Sequence, residues 1–139
     1  MITDKLKKIR ENLDLSQRQI ANKLNISKTA YGRWESGEYI IPLERLIDFC
    51  KFANCSIDYI LELSEDKKFK PLNINRKKIG LNIKNIRIKN NLTQTEFAKS
   101  INTVQSVISA YETGETLIKT SFMLDICKKY KIFASDILK

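Results

Sequence analysis

The chain has 139 residues, 42% of them hydrophobic and 29% charged, with a formal net charge of +9. That composition supports a packed soluble core, and no run approaches the roughly 18 apolar residues of a membrane span. Histidine is absent and the three cysteines, Cys50, Cys55 and Cys127, have no CxxC spacing, so Ser-His and Cys-His nucleophiles are excluded and no metal or cofactor is expected.

Ile2, Leu6, Ile9 and Leu13 recur every three or four residues and predict a first helix with one apolar face on a core. The opening "MITDKLKKIR" shows no apolar stretch followed by a cleavage site, so no signal peptide is expected. At "LSQRQI", Ser16 with Gln19 three positions on has the form of a capping box, and Leu15 with Ile20 that of a hydrophobic staple. Asn25 follows Leu24 where a left-handed residue ends a helix, and Ser27 is the candidate cap of a third helix. Small Ala21 permits close approach of the two short helices, which makes a helix-turn-helix. The third helix closes on "YGRWESGE", with Gly37 as its stop. A fourth helix is predicted from about Leu43 to Ala53 and a short fifth from Ser56 to Leu61. Then comes "SEDKKFKPLNIN", charged and holding Pro71, which reads as a linker over residues 64–75.

Past the linker the pattern starts again. A shift of 77 positions aligns residues 6–61 with 83–138 without a gap and gives about sixteen identical pairs. Among them are Arg10/Arg87, Gln17/Gln94, Ala21/Ala98, Asn25/Asn102, Glu35/Glu112, Gly37/Gly114 and Cys50/Cys127. Domains are therefore expected at 1–63 and 76–139, each one copy of a single unit. Ile79, Ile83 and Ile86 mark the counterpart of the first helix, and Thr93 with Glu96 repeats the capping box. "ISAYETGE" repeats the aromatic, acid and glycine of the first copy. Val104 replaces Ser27, so Thr103 is expected to cap one residue earlier. The fourth and fifth helices recur at Ser121 to Tyr130 and Ala134 to Leu138. Cys50 and Cys127 fall in apolar helical patterns and read as small buried hydrophobes. Free cysteines suit a reducing, cytoplasmic compartment.

The charge is uneven. Residues 1–62 hold 10 basic and 9 acidic side chains, whereas residues 76–139 hold 12 and 5. A basic half points to a polyanionic partner, and nucleic acid fits better than a membrane because no basic amphipathic stretch has a broad aromatic face. No G-x-G-x-x-G and no G-x-x-x-x-G-K-[ST] is present, and the carboxylates sit where helix capping accounts for them, so no enzymatic activity and no small-molecule ligand are expected.

Both "LSQRQIANKLNISKTAYGRWESGEYIIPLERLIDFCKFANCSIDYIL" and "LTQTEFAKSINTVQSVISAYETGETLIKTSFMLDICKKYKIFASDIL" resemble the lambda-repressor-like, Cro/XRE-type DNA-binding domain. Hydroxyl-Gln at the start of the second helix, Ala in its middle and aromatic-Glu-x-Gly after the third carry the likeness. The resemblance implies an all-α chain of two tandem five-helix bundles, with each third helix entering the major groove of double-stranded DNA. It implies that Gln17 and Gln94 contact the DNA backbone and brace the third helix. Ser27, Lys28, Thr29 and Arg33 would face the groove in the first unit. In the second unit Val104, Gln105, Ser106 and Ala110 take those places, with Ser109 beside them. Arg10 with Glu35, and Arg87 with Glu112, would form largely buried ion pairs between first and third helices.

Chemistry supports the division of the third helix. Residues 28, 29 and 33 share one side, and Tyr31 and Trp34, like Ile108 and Tyr111, share the other. Lys28 and Arg33 can donate to guanine O6 and N7, Gln105 can bond adenine N6 and N7, and Val104 and Ala110 suit thymine methyls. Arg76, Lys77, Lys78, Lys84, Lys89, Lys128, Lys129 and Lys131 are available to phosphate, so the second unit is expected to hold backbone more and read bases less. A linker of about 12 residues spans roughly 40 Å when extended, against about 34–36 Å between adjacent half-sites, so one chain can engage two. The expected function is a sequence-specific transcriptional regulator, a repressor by family resemblance. The alternative is an interaction or dimerisation module, antitoxin-like or antirepressor-binding, in which one unit no longer reads DNA. A second copy of the chain and a protein antirepressor are the further partners that the reading leaves open.

Overall fold

The computed structural model describes residues 2–139. Its described residues form ten helices and no strand, and the chain divides between Pro71 and Leu72. The first unit holds α1 (Ile2–Asn12), α2 (Gln17–Lys23), α3 (Lys28–Ser36), α4 (Leu43–Ala53) and α5 (Ile57–Ile60). The second holds α6 (Arg76–Lys89), α7 (Gln94–Ser100), α8 (Gln105–Thr113), α9 (Thr120–Tyr130) and α10 (Ala134–Leu138). The chain is all-α, two five-helix bundles in tandem. Among the described residues no helix is long and apolar enough to cross a membrane.

Local chemistry sets the helix ends. Both capping boxes form: Gln19 N–H donates to Ser16 Oγ at 3.1 Å and Ser16 N–H to Gln19 Oε1 at 2.8 Å. Thr93 and Glu96 repeat the exchange at 3.1 and 2.9 Å. Two of the otherwise unpaired amides at each helix start are thereby satisfied. Asn25 and Asn102 adopt φ of 57° and 58°, the left-handed turn that separates second from third helix. Gly37 and Gly114, at φ of 82° and 80°, end the third helices.

Each unit closes on its own core. In the first, Leu6, Ile20, Tyr31, Leu46, Phe49 and Ile60 are essentially inaccessible; in the second, Ile83, Phe97, Ile108, Met123, Ile126 and Ile137 are. Tyr31 and Trp34 meet edge-on at 5.9 Å beneath α3, so the aromatic of the repeated motif packs as core. The three cysteines are buried and form no disulfide, and burial pushes the Cys55 thiol up to about 11.

Several expectations are revised. Leu13 lies beyond the end of α1, because Asp14 turns left-handed at φ 56°, and is 40% exposed rather than core. The N-cap of α8 is Val104 and not Thr103. It makes no side-chain cap, and Val107 N–H closes the first turn on Val104 O at 3.1 Å by backbone alone. α9 begins one residue before the predicted Ser121. Part of the segment 64–75 is tied to the first unit. Ser56 Oγ donates to Asp66 O at 2.7 Å, Ser56 N–H to Lys67 O at 3.0 Å, and Cys55 forms an isolated bridge with Lys68.

The two copies differ in how the first helix meets the third. A Cβ added at Gly80 on α6 would lie 2.3 Å from Tyr111 O and 2.6 Å from Glu112 O, both backbone atoms of α8. The matching residue in the first unit is Thr3, whose Cγ2 would stand 3.6 Å from a Cβ at Gly37, an ordinary contact. Gly80→Ala gains about 1 kcal/mol of helix propensity but forces two helices apart, a cost of roughly 1–3 kcal/mol or more. We expect it to lower the melting temperature of the second unit, followed by circular dichroism; an unchanged or higher temperature would show that α6 can slide.

Candidate nucleic-acid interface

The third helix of each unit presents one side to solvent and anchors the other. In α3, Tyr31 and Trp34 are buried while Lys28, Thr29 and Arg33 are exposed. Ser27, also exposed, accepts from Ala30 N–H at 3.1 Å, so its oxygen caps the helix while its proton stays free to donate. In α8, Gln105 and Ser106 are exposed and Ala110 half-buried. Val104 is 61% exposed, an apolar surface where the first unit has a hydroxyl. Ser109 is half-buried, and its counterpart Gly32 faces α2, since a Cβ there would lie 3.4 Å from Gln17 Oε1. Ser109 thus occupies the flank of the third helix nearest the second, apart from the exposed side.

Behind that surface lies a bonded lattice built twice with nearly the same geometry. Arg10 Nε donates to Glu35 Oε2 at 2.7 Å, a second guanidinium nitrogen to Oε1 at 3.0 Å, and the third to Leu15 O at 2.8 Å. Arg87 grips Glu112 at 2.7 and 3.0 Å and Leu92 O at 2.8 Å. The acid side chains are only 4% exposed, and the arginines 11% and 13%. Gln17 Nε2 adds a bond to Glu35 Oε1 at 3.2 Å, and Gln94 Nε2 one to Glu112 Oε1 at 3.1 Å. One carboxylate therefore joins first, second and third helices. The bonds to Glu35 and Glu112 raise Arg10 and Arg87 above the usual arginine value. Burial works to raise Glu35, but the bonds from Arg10, with Tyr31 and Gln17 beside it, outweigh burial and hold its carboxyl below the ordinary range.

The lattices differ at their edges, and no spacing in the sequence signals how. Tyr31 puts a buried hydroxyl near Glu35 without a well-formed hydrogen bond, and burial raises its pKa; Ile108 stands in its place in the second unit. In the second unit the lattice instead runs on into the exposed side: Gln105 Nε2 donates to Gln94 Oε1 at 2.7 Å. The first residue of α8 is thereby held in one orientation, leaving its other amide hydrogen and its oxygen available. Lys28 occupies that place in the first unit.

Three size changes also reshape the second unit. Ala110, Thr116 and Phe122 stand where Arg33, Tyr39 and Arg45 stand in the first copy. A groove of about 440 Å³ follows along α8, with Val107, Ala110, Tyr111, Leu117 and Phe122 among its walls and Lys119 beside them. Among the described residues no group of three or more His, Cys, Asp or Glu is placed to hold a metal ion.

A bundle in which two short helices meet across a left-handed asparagine, with the second of them exposed and polar along one side, defines a helix-turn-helix unit, here present twice. A helix-turn-helix family model matches residues 6–60 and again 83–132, and the chain belongs to that family of DNA-binding transcriptional regulators, in its Cro/XRE-type branch. The chain is 33% identical over 66 residues to the uncharacterized HTH-type transcriptional regulator YobD of Bacillus subtilis, covering 48% of this chain and 59% of that one. It is 37% identical over 60 residues to the antitoxin PezA of Streptococcus pneumoniae, covering 43% of this chain and 38% of the relative. It is also 37% identical over 62 residues to the HTH-type transcriptional activator BcrR of Enterococcus faecalis, covering 45% and 30%. The chain thus spans less than two thirds of the length of these relatives.

Proposed function

We propose that the chain is a cytoplasmic, sequence-specific double-stranded DNA-binding regulator that acts as a repressor, with α3 and α8 entering the major groove. The observation that carries the reading is the exposed set Lys28, Thr29 and Arg33 on a helix whose opposite side is clamped by Glu35 to α1 and α2. A rigid mount beneath freely accessible donors is what base reading requires, since sequence is distinguished by donor geometry at base edges. Gln17 and Gln94 begin capped helices, where backbone amides and the helix dipole favour a phosphate. Repression needs no further machinery, because a chain seated on duplex DNA excludes others from it.

The two units divide the work in this reading. The first carries the cationic readers, whereas the second carries Gln105 and the basic surplus of 12 against 5 over residues 76–139. Charge-neutral substitution of Lys77, Lys78, Lys84 and Lys89 is expected to flatten the salt dependence of binding, by about 0.9 in log–log slope for each lysine that meets phosphate. Titration of the quadruple variant against salt checks this, and an unchanged slope would remove the second unit from the DNA backbone.

A second reading has one specific support. The groove beside α8 has Ala110, Thr116 and Phe122 where the first unit has two arginines and a tyrosine, and Val107, Leu117 and Phe122 give it apolar walls. A groove with apolar walls can take the apolar side chains of a partner protein. In that case the second unit is an interaction module, and only the first reads DNA. Gln105→Ala and Ser106→Ala separate the two: they change the preferred DNA sequence under the first reading and leave it intact under the second.

A further inference from the structure

Gly37 ends α3 in the left-handed conformation and folds the following residues back along the helix. Tyr39 N–H donates to Arg33 O at 3.2 Å, Ser36 Oγ donates to the same carbonyl at 3.1 Å, and Glu38 N–H donates to Ser36 Oγ at 3.3 Å. These bonds fix the backbone of residues 38 and 39 beside Arg33. The side chains then converge. The Arg33 guanidinium carbon lies 5.5 Å from the centre of the Tyr39 ring, and Arg33 Nε stands 3.6 Å from Glu38 Oε2. Tyr39 is 57% exposed and belongs to no core.

We propose that Tyr39, assisted by Glu38, is a positioning residue that aims Arg33 at a single base pair and so sets sequence preference in the first unit. The proposal rests on the reading of α3 as the DNA-reading helix. An arginine on a bare helix surface samples many rotamers, and ordering it costs free energy at the moment of binding. A ring beneath the guanidinium plane removes part of that cost in advance. Glu38 approaches Nε, which leaves the two terminal nitrogens free for the bidentate contact to guanine O6 and N7. Its negative charge also disfavours Arg33 drifting to a phosphate, so the device favours discrimination over raw affinity. An exposed ion pair at this distance contributes little by itself, so the ring carries the larger share.

The second unit is an internal comparison. Its turn is the same, with Gly114 left-handed and Thr116 N–H donating to Ala110 O at 3.2 Å, and Glu115 follows the glycine as Glu38 does. Yet Arg33 becomes Ala110 and Tyr39 becomes Thr116. The ring is lost together with the guanidinium, whereas the acid and the backbone turn, which serve the fold equally well without them, are kept.

The test uses the full chain and a panel of duplexes varied one base pair at a time, with Arg33→Ala locating the pair that Arg33 reads. Tyr39→Ala should narrow the preference at that pair alone by about two- to fivefold, the range expected for an exposed cation–ring contact. Tyr39→Phe should restore it, Glu38→Gln should narrow it less, and melting temperatures should not move. On the Arg33→Ala background, Tyr39→Ala should have no further effect. The proposal is overturned if Tyr39→Ala weakens all duplexes alike, or if Tyr39→Phe is as damaging as Tyr39→Ala, either of which makes the tyrosine a phosphate contact. If Arg33→Ala changes preference at no pair the proposal also falls, and Lys28→Ala on the same panel tells the two failures apart: a change at some pair keeps α3 as the reading helix, and no change overturns that reading as well.

Discussion

Glu35→Ala and Glu112→Ala are each expected to unfold the unit that carries them before they change any contact to DNA. Both carboxylates are 4% exposed and take two bonds from a guanidinium that is itself nearly enclosed. Removing one partner of such a pair costs about 3–5 kcal/mol, because the other charge is left buried without compensation. A domain near 60 residues has a total stability of roughly 3–9 kcal/mol, so the loss is comparable to the whole. Gln17 or Gln94 is released at the same time, and in the second unit Gln105 goes with it.

Acid should reproduce the loss in the first unit. Burial alone would raise Glu35, but its bonds hold the folded value below the unfolded one, so the carboxylate contributes stability above the ordinary glutamate range. That contribution disappears as pH falls through the depressed folded value, where a protonated Glu35 strands Arg10. Thermal melts of the two variants and of the parent against pH measure this. A Glu35→Ala chain that keeps its melting temperature but loses DNA would mean the glutamate reads and does not latch.

Lys28→Ala with Arg33→Ala is expected to do the reverse. Both side chains are exposed and hold no core together, so the melting temperature should stay within experimental scatter. Each removes a donor able to make a base contact that discriminates by about 1–3 kcal/mol, so each change lowers preference for the best sequence by roughly 5- to 150-fold. Non-specific binding should fall far less, because phosphate contacts elsewhere supply it. The contrast between the pairs of variants follows from burial: the acid behind the helix is enclosed and bonded, so its loss is expected to act on stability, whereas the cations in front of it are exposed and their loss is expected to act on DNA. A uniform loss across all duplexes would make Lys28 and Arg33 phosphate contacts.

Much of this architecture was legible because the chain carries its own control. Ser16 with Gln19 and Thr93 with Glu96 are short-range signals, decided within one turn of helix, and both formed. Asn25, Asn102, Gly37 and Gly114 demand a backbone conformation that few residues tolerate, so their positions announced the turns. Other features depend on tertiary approach and leave no local trace. Gly80 reads as a weak point in a helix until α8 is placed against it. The bond between Gln94 and Gln105 joins residues 11 apart with no periodicity to reveal it. Leu13 fitted the apolar stripe of α1 but fell past the residue where the helix stops. The groove beside α8 arises from the combined loss of bulk at Ala110 and Thr116 and polarity at Phe122, which only a folded surface brings together.

The most direct test is selection of bound sequences from a random pool of duplex DNA by the full chain and by its Arg33→Ala variant. An enriched motif with two separate blocks of information is expected, one of which contains guanine and is lost in the variant while the other survives. Recovery of no preferred sequence, or of the same motif from both proteins, would contradict that expectation.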